Sequence, residues 1–246
     1  MVEAGEQKDS FQQMQKTVDQ LNGEKQQIIS IVSHDIKAPL NRIFALVQLM
    51  EMDKQNLTND QKNYLDKMHQ VVVDGLSMIR NLVDYRNIEY RGIDLHPEQI
   101  NISAFIDSKV KNFRTLADKK NIIINYTAPE DITIVSDDQC LTRVFDGLIS
   151  NAIKFSAEGK EIFVSVTNEP NRVDVRVQDQ ARGFRAEDLS KLFMKFQKLT
   201  AKPTAGESST GLGLYVVKEF LDKIGGTMKI ETQEGIGTTF VVSLLK

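Results

Sequence analysis

The 246-residue chain reads as an α+β protein in two parts: an antiparallel helical hairpin, then an α/β sandwich with a mixed sheet. Three observations predict this. Apolar residues recur at three- and four-residue spacings from Phe11 to Val83, "YRGIDLHPEQI" ends that pattern with Gly92 and Pro97, and beyond it short β-type runs alternate with helical stretches.

The first helix carries Phe11, Met14, Val18, Leu21, Lys25, Ile28 and Val32 at alternating steps of three and four, a heptad seam with Lys25 as its one polar interruption. Past Val32 the apolar positions are Ile36, Leu40, Ile43, Val47 and Met50. Two consecutive steps of four form a stutter there, and "SIVSHDIKAPL" places His34 within it. At about 100° per residue, His34 lies about 200° from both Val32 and Ile36, on the side away from the seam. Pro39 removes a backbone donor and is expected to bend the helix just after the histidine. "NLTNDQKNYL" restarts the helix with Thr58 as N-cap and Gln61 as the reciprocal residue of a capping box. Leu65, Met68, Val72, Leu76, Ile79 and Val83 extend this second helix to about Glu89. A hairpin with one apolar stripe is half of a four-helix bundle, so a homodimer is expected.

The division expected is a coiled-coil linker over 1–24, the hairpin domain over 25–92 and the sandwich over 93–246. Within the last, helices are predicted near Ser103–Lys120, Asp138–Phe155, Ala186–Leu192 and Leu214–Ile224. Strands are predicted at "NIIINY", "DITIVS", "EIFVSVT", "RVDVRVQD", "TMKIET" and "TTFVVSLL", with Val173, Val175 and Val177 alternating at period two. Gly225 and Gly226 stop the last helix, and "EGIG" turns between the final strands.

Composition narrows the function. With 41% hydrophobic and 26% charged residues and a formal net charge of −3, the chain is an ordinary globular protein without the basic excess of a nucleic-acid binder. The single cysteine, Cys140, excludes an internal disulfide framework and reads as a small buried apolar residue. No apolar run approaches a membrane span and "MVEAGEQKDS" is too polar for a signal peptide, so a cytoplasmic chain is expected. A longer parent could carry sensory or membrane segments upstream.

Five stretches resemble, in order, the boxes of sensor histidine kinases: "SHDIKAPL" the H box, "DGLISNAIKFS" the N box, "VQDQARGF" the G1 box, "LFMKFQKL" the F box and "STGLGLYVVKEF" the G2 box. The resemblance spans nearly the whole chain from about residue 20. It implies a dimeric hairpin domain bearing the phosphoacceptor, joined to a Bergerat, or GHKL-type, ATP-binding domain like those of gyrase, mismatch-repair and chaperone ATPases.

The residue roles that the resemblance implies are these. His34 attacks the γ-phosphate of ATP and Asp35 assists as base. Asn151 is the Mg²⁺ ligand, Lys154 meets the same phosphates, and Phe155 sits beside adenine. Asp179 accepts the adenine amino hydrogen, with Gly183 and Phe184 next to it. Lys198 reaches the γ-phosphate, and Thr210, Gly211, Leu212, Gly213 and Leu214 cradle phosphate oxygens. The polar segment "TAKPTAGESS" is the lid over ATP. His69 and His96 have no comparable setting.

Four positions depart from the family pattern. Gly147 replaces the first N-box asparagine, Ala181 the first G1 glycine, Ser209 the first G2 glycine, and Ala38 the threonine or asparagine that positions water for dephosphorylating the partner. The expected function is ATP-dependent autophosphorylation of His34, followed by transfer to an aspartate on the receiver domain of a response regulator. The alternatives are a catalytically weakened dimeric scaffold of the same fold and an ATP-hydrolysing conformational machine.

Overall fold

The computed structural model describes residues 2–90, 92–129 and 131–246, with side chains described from Phe11 onward except Gln12 and Asp19. The chain divides into two compact units, Met1–Tyr90 and Arg91–Lys246.

The first unit is a helical hairpin. Helix α1 (Val2–Met52) runs unbroken through Pro39, and a single 3-10 turn (Lys54–Asn56) leads to α2 (Asn59–Tyr90). The start of α2 is held by a reciprocal capping box, in which Gln61 N–H donates to Thr58 Oγ1 at 3.2 Å and Thr58 N–H donates to Gln61 Oε1 at 2.9 Å.

The single seam expected along α1 proves to be two faces. Leu40, Phe44 and Val47 serve the hairpin interior: Phe44 meets the His69 ring at 5.5 Å between centroids, Leu40 lies over Gly75, and Val47 is buried. Ile36, Ile43, Leu46, Leu49 and Met50 stay exposed, as do Phe11, Met14, Val18, Leu21, Ile28 and Val32. Both faces obey three-and-four spacing, which is why the sequence merged them. The polar interruption also has its reason. The Lys25 ammonium sits 5.8 Å from the centroid of the Tyr85 ring on α2, a cation–π contact.

The second unit contains, in chain order, β1 (Glu98–Asn101), α3 (Ile102–Asp118), β2 (Ile123–Thr127), β3 (Thr133–Ser136), α4 (Asp138–Phe155), β4 (Glu161–Asn168), β5 (Arg172–Asp179), α5 (Ala186–Leu189), α6 (Gly213–Lys223), β6 (Thr227–Gln233) and β7 (Gly237–Leu245). A five-stranded sheet has the order β2-β4-β5-β7-β6, parallel at β2–β4 and antiparallel elsewhere. Strand β1 was not read from the sequence, because it has four residues and its first two are exposed. It pairs antiparallel with β3, Ile100 opposite Ile134, in a separate two-stranded sheet.

One face of the large sheet is apolar: Ile162, Val164 and Val166 of β4, Val173, Val175 and Val177 of β5, and Phe240, Val242 and Leu244 of β7 are buried. Buried stripes of α3, α4 and α6 complete this core. Asp137 caps α4 by accepting from Cys140 N–H at 2.8 Å, and its other oxygen accepts from His96 N–H at 2.7 Å. Its carboxyl is held below the ordinary carboxylate range, because these backbone donors outweigh the cost of burial. Burial and the Asp137 charge push the Cys140 thiol up to about 12, so it stays a protonated core residue.

Helices α4 and α6 meet closely at Gly147, where a Cβ would stand 2.4 Å from Val217 Cγ2. Packing therefore accounts for the departure at that position: the stiff β-branched valine fills the place a larger N-box residue would take. Gly147→Asn is expected to lower stability by about 1–3 kcal/mol through overpacking. Thermal melts should show most of the loss recovered in the Gly147→Asn, Val217→Ala double variant.

Candidate functional site

Helix α1 presents His34 to solvent, its side chain 86% exposed, with Nδ1 3.2 Å from Asp35 Oδ1. When Nδ1–H donates to the carboxylate, the remaining ring nitrogen keeps its lone pair and faces no protein partner in that bond. Among the other histidines, His69 packs on Phe44, and His96 engages Asp137 through its backbone.

In the second unit α4, the end of β5, the loop before α6 and the start of α6 carry the remaining candidates. Asn151 and Lys154 lie half-buried on the last turns of α4, with Phe155 at its final position. The Lys154 ammonium donates to the Ser208 carbonyl, so it is engaged with the 200–209 segment rather than directed only to solvent. Asp179 ends β5 and is 7% exposed. Its Oδ1 accepts from Ala181 N–H at 2.9 Å and Thr238 N–H at 3.0 Å. Burial raises the Asp179 carboxyl above its ordinary value, against the pull of those two amides.

Two glycines are required by the chain itself. Gly183 has φ +72°, and a Cβ there would stand 2.3 Å from the Gln233 carbonyl oxygen; Gly211 has φ +71°, with Gln197 O at 2.5 Å. Ala181 and Ser209 are absent from the positive-φ residues, so the backbone accepts a side chain at each. The close contact at Gly211 brings the F-box and G2 loops together, and Phe196 on the F-box side adopts φ +59°, strained for a bulky residue.

Lys198 is exposed on that loop. Thr210 Oγ1 accepts from Leu212 N–H at 3.3 Å, and Leu212, itself buried, precedes α6 without any side-chain cap. The first-turn amides of α6, from Gly213 and Leu214, receive no side-chain cap from Leu212, and a helix start of this kind suits an anion. Gly213 needs no special backbone. Phe184 packs edge-on to Phe240 at 6.4 Å, and its N–H donates to Thr232 Oγ1, so it anchors the G1 loop to the core.

The sequence reading missed two anchors. Asp188, 3% exposed on α5, accepts from both the backbone and the hydroxyl of Thr200, fixing the near end of the 200–209 segment. Lys120, between α3 and β2, donates to Ile153 O, Lys154 O and Thr204 Oγ1. Neither lies in a box, and both act across sequence separations that no local pattern reveals.

Family models match both units: "His Kinase A (phospho-acceptor) domain" over residues 24–91, and "Histidine kinase-, DNA gyrase B-, and HSP90-like ATPase" over residues 136–246. The chain is 25% identical over 236 residues to the heme sensor protein HssS of Staphylococcus saprophyticus, covering 96% of this chain and 50% of that protein. It is 26% identical over 237 residues to the aerobic respiration control sensor protein ArcB of Escherichia coli, covering 94% of this chain and 30% of that protein. It therefore spans half or less of the length of these relatives.

Among solved structures, full-length ShkA in complex with AMPPNP shares the fold at TM-score 0.66 and 21% identity, covering 89% of this chain and 45% of that one. Acinetobacter baumannii histidine kinase AdeS does so at TM-score 0.58 and 21% identity, covering 84% of this chain and 96% of that one. The chain belongs to the sensor histidine kinases, as their helical phosphoacceptor hairpin followed by their GHKL-type ATP-binding domain.

Because the folded carboxyl of Asp179 titrates above its unfolded value, ionisation favours the unfolded chain, and the parent loses stability as pH rises from below the ordinary carboxylate range through the raised value. Asp179→Asn lacks this loss. Its Tm should match the parent's in acid and exceed it near neutrality, as scanning calorimetry across that range would show.

Proposed function

We propose that this chain transfers the γ-phosphoryl group of ATP to His34 and then passes it to an aspartate on a response-regulator receiver domain. The observation that carries the reading is the exposed His34 ring paired at 3.2 Å with Asp35 on a hairpin of the phosphoacceptor family. The free ring nitrogen forms the new N–P bond, the bond to ADP breaks, and Asp35 stabilises the charge left on the ring.

Nucleotide recognition falls to the second unit. Asp179 Oδ2, beside an Oδ1 already occupied by two amides, accepts from the adenine amino group. Gly183, Phe184 and Phe155 line the base, while the amides of Gly211, Gly213 and Leu214, the Thr210 hydroxyl, Lys154 and Lys198 serve the phosphates, with Leu212 holding the loop through its bond to Thr210. No group of three His, Cys, Asp or Glu able to hold a metal is present among the described residues. A Mg²⁺ ion therefore suits this site only if the phosphates supply most of its oxygens, with the Asn151 amide oxygen as the protein donor. Bound there, it neutralises phosphate charge.

The uncovered apolar residues of α1, from Phe11 to Met50, support a homodimer built by closing two hairpins into a four-helix bundle. The boundaries proposed remain 1–24, 25–92 and 93–246. No helix among the described residues is long and apolar enough to cross a membrane. The proposed location of this part of the protein is the cytoplasm.

Incubation with γ-labelled ATP and Mg²⁺ should give acid-labile, base-stable label on the parent and none on His34→Gln, with ATP binding unchanged by calorimetry. Equal labelling of the two would refute the assignment. In the same titrations Asp179→Asn should lose its preference for ATP over GTP.

Ala38, exposed one helical turn beyond His34, offers only a methyl group where a hydroxyl or amide would hold attacking water. The parent should therefore barely accelerate decay of its phosphorylated regulator. Ala38→Thr or Ala38→Asn should accelerate it by on the order of 10²-fold. Strong acceleration by the parent, unimproved by either variant, would refute the role of Ala38.

A further inference from the structure

The turn between α3 and β2 places one cation at a junction that the proposed chemistry leaves unused. Lys120 Nζ donates to Ile153 O at 2.8 Å, Lys154 O at 3.2 Å and Thr204 Oγ1 at 2.6 Å, and stands 3.4 Å from Glu207 Oε1. Two of these acceptors are carbonyls of the last turn of α4, where no helical N–H is available and a positive charge opposes the helix dipole favourably. The other two belong to the lid.

Glu207 is the telling partner. Its side chain is 7% exposed, its Oε2 accepts from Ala205 N–H at 2.8 Å, and Lys120 is the cation opposite its other oxygen. A carboxylate so enclosed is costly without its counter-charge. Thr204 adds two bonds to the same helix end: its N–H donates to Lys154 O at 3.2 Å, and its hydroxyl to Ser156 O at 2.7 Å. Residues 204–208 are thereby seated, by protein groups alone, on the helix that carries Asn151 and Lys154.

We infer that Lys120 is a positioning residue for the nucleotide site: it clamps residues 204–208 onto the carbonyl end of α4, so that the lid is ordered before ATP arrives. The inference rests on reading this segment as the ATP lid. Its energetic content is preorganisation, since a lid already fixed costs less ordering on binding. Losing Lys120 strips Glu207 of its cation, and the segment moves out to solvate it.

The test is amide hydrogen exchange of the nucleotide-free full chain, followed by autophosphorylation kinetics, on the parent, Lys120→Met, Glu207→Gln and the double variant. Residues 200–210 should exchange at least tenfold faster in Lys120→Met, while β4, β5 and β7 keep the parent's protection. The ATP KM should rise at least threefold with a smaller change in kcat. The double variant should be no worse than Lys120→Met, because the two groups act as one pair.

Unchanged lid exchange in Lys120→Met would overturn the inference. So would acceleration spread equally over the sheet, which would make Lys120 an ordinary stabilising residue. If the parent failed to bind ATP, the kinase reading would fall, and exchange in the nucleotide-free chain would still decide whether the clamp exists.

Discussion

The burial of α4 is the constraint on which the second unit depends. Cys140, Leu141, Val144, Phe145, Leu148, Ile149, Ala152 and Ile153 are all buried, and a helix that commits so broad a stripe to the core cannot turn about its axis. Whatever lies on the remaining face is fixed with it, and that face holds Asn151 and Lys154. The ends are secured differently, by the Asp137 carboxylate at the first turn and the Lys120 ammonium at the last, each with the sign that suits the helix dipole there. Gly147 lets α6 approach the same helix, which brings the uncapped amides of α6 into the arrangement.

The first unit solves a different problem. One helix must pack inside its own hairpin and still leave an apolar stripe and the His34 ring outside. Leu40, Phe44 and Val47 do the first, Ile36, Ile43 and Met50 the second, and His34 lies on neither set. Lys25 shows a milder version of the compromise, since its ammonium is tolerated in the seam because Tyr85 offers a ring face.

What could be read from the sequence follows from the range of the forces involved. The alternation of Val173, Val175 and Val177, the Thr58–Gln61 box and the extent of α4 depend on neighbours within a few residues, and each is found in the structure. Strand β1 was missed because two of its four residues face solvent, and its partner lies over thirty residues away on β3. The two faces of α1 share one periodicity, so only the position of α2 separates them. Among the candidate site residues, the glycines and Asp179 stand in recognisable local patterns. Lys120 looks like any solvated charge in "DKKN" until carbonyls from α4 and the Thr204 hydroxyl surround it.

The length and continuity of α1 have a mechanical consequence. A helix of 51 residues is a shaft about 75 Å long, stiff in torsion because every turn is bonded to the next. Pro39 withdraws one such bond, leaving the Asp35 carbonyl without its helical donor. The shaft is therefore more compliant there, within a turn of His34. Twist applied to such a shaft is yielded to most easily beside His34, so the imidazole sits where a rotation of the rod becomes a local change of orientation. In a rod without that proline the same twist would be passed on toward the hairpin loop with less yielding beside His34.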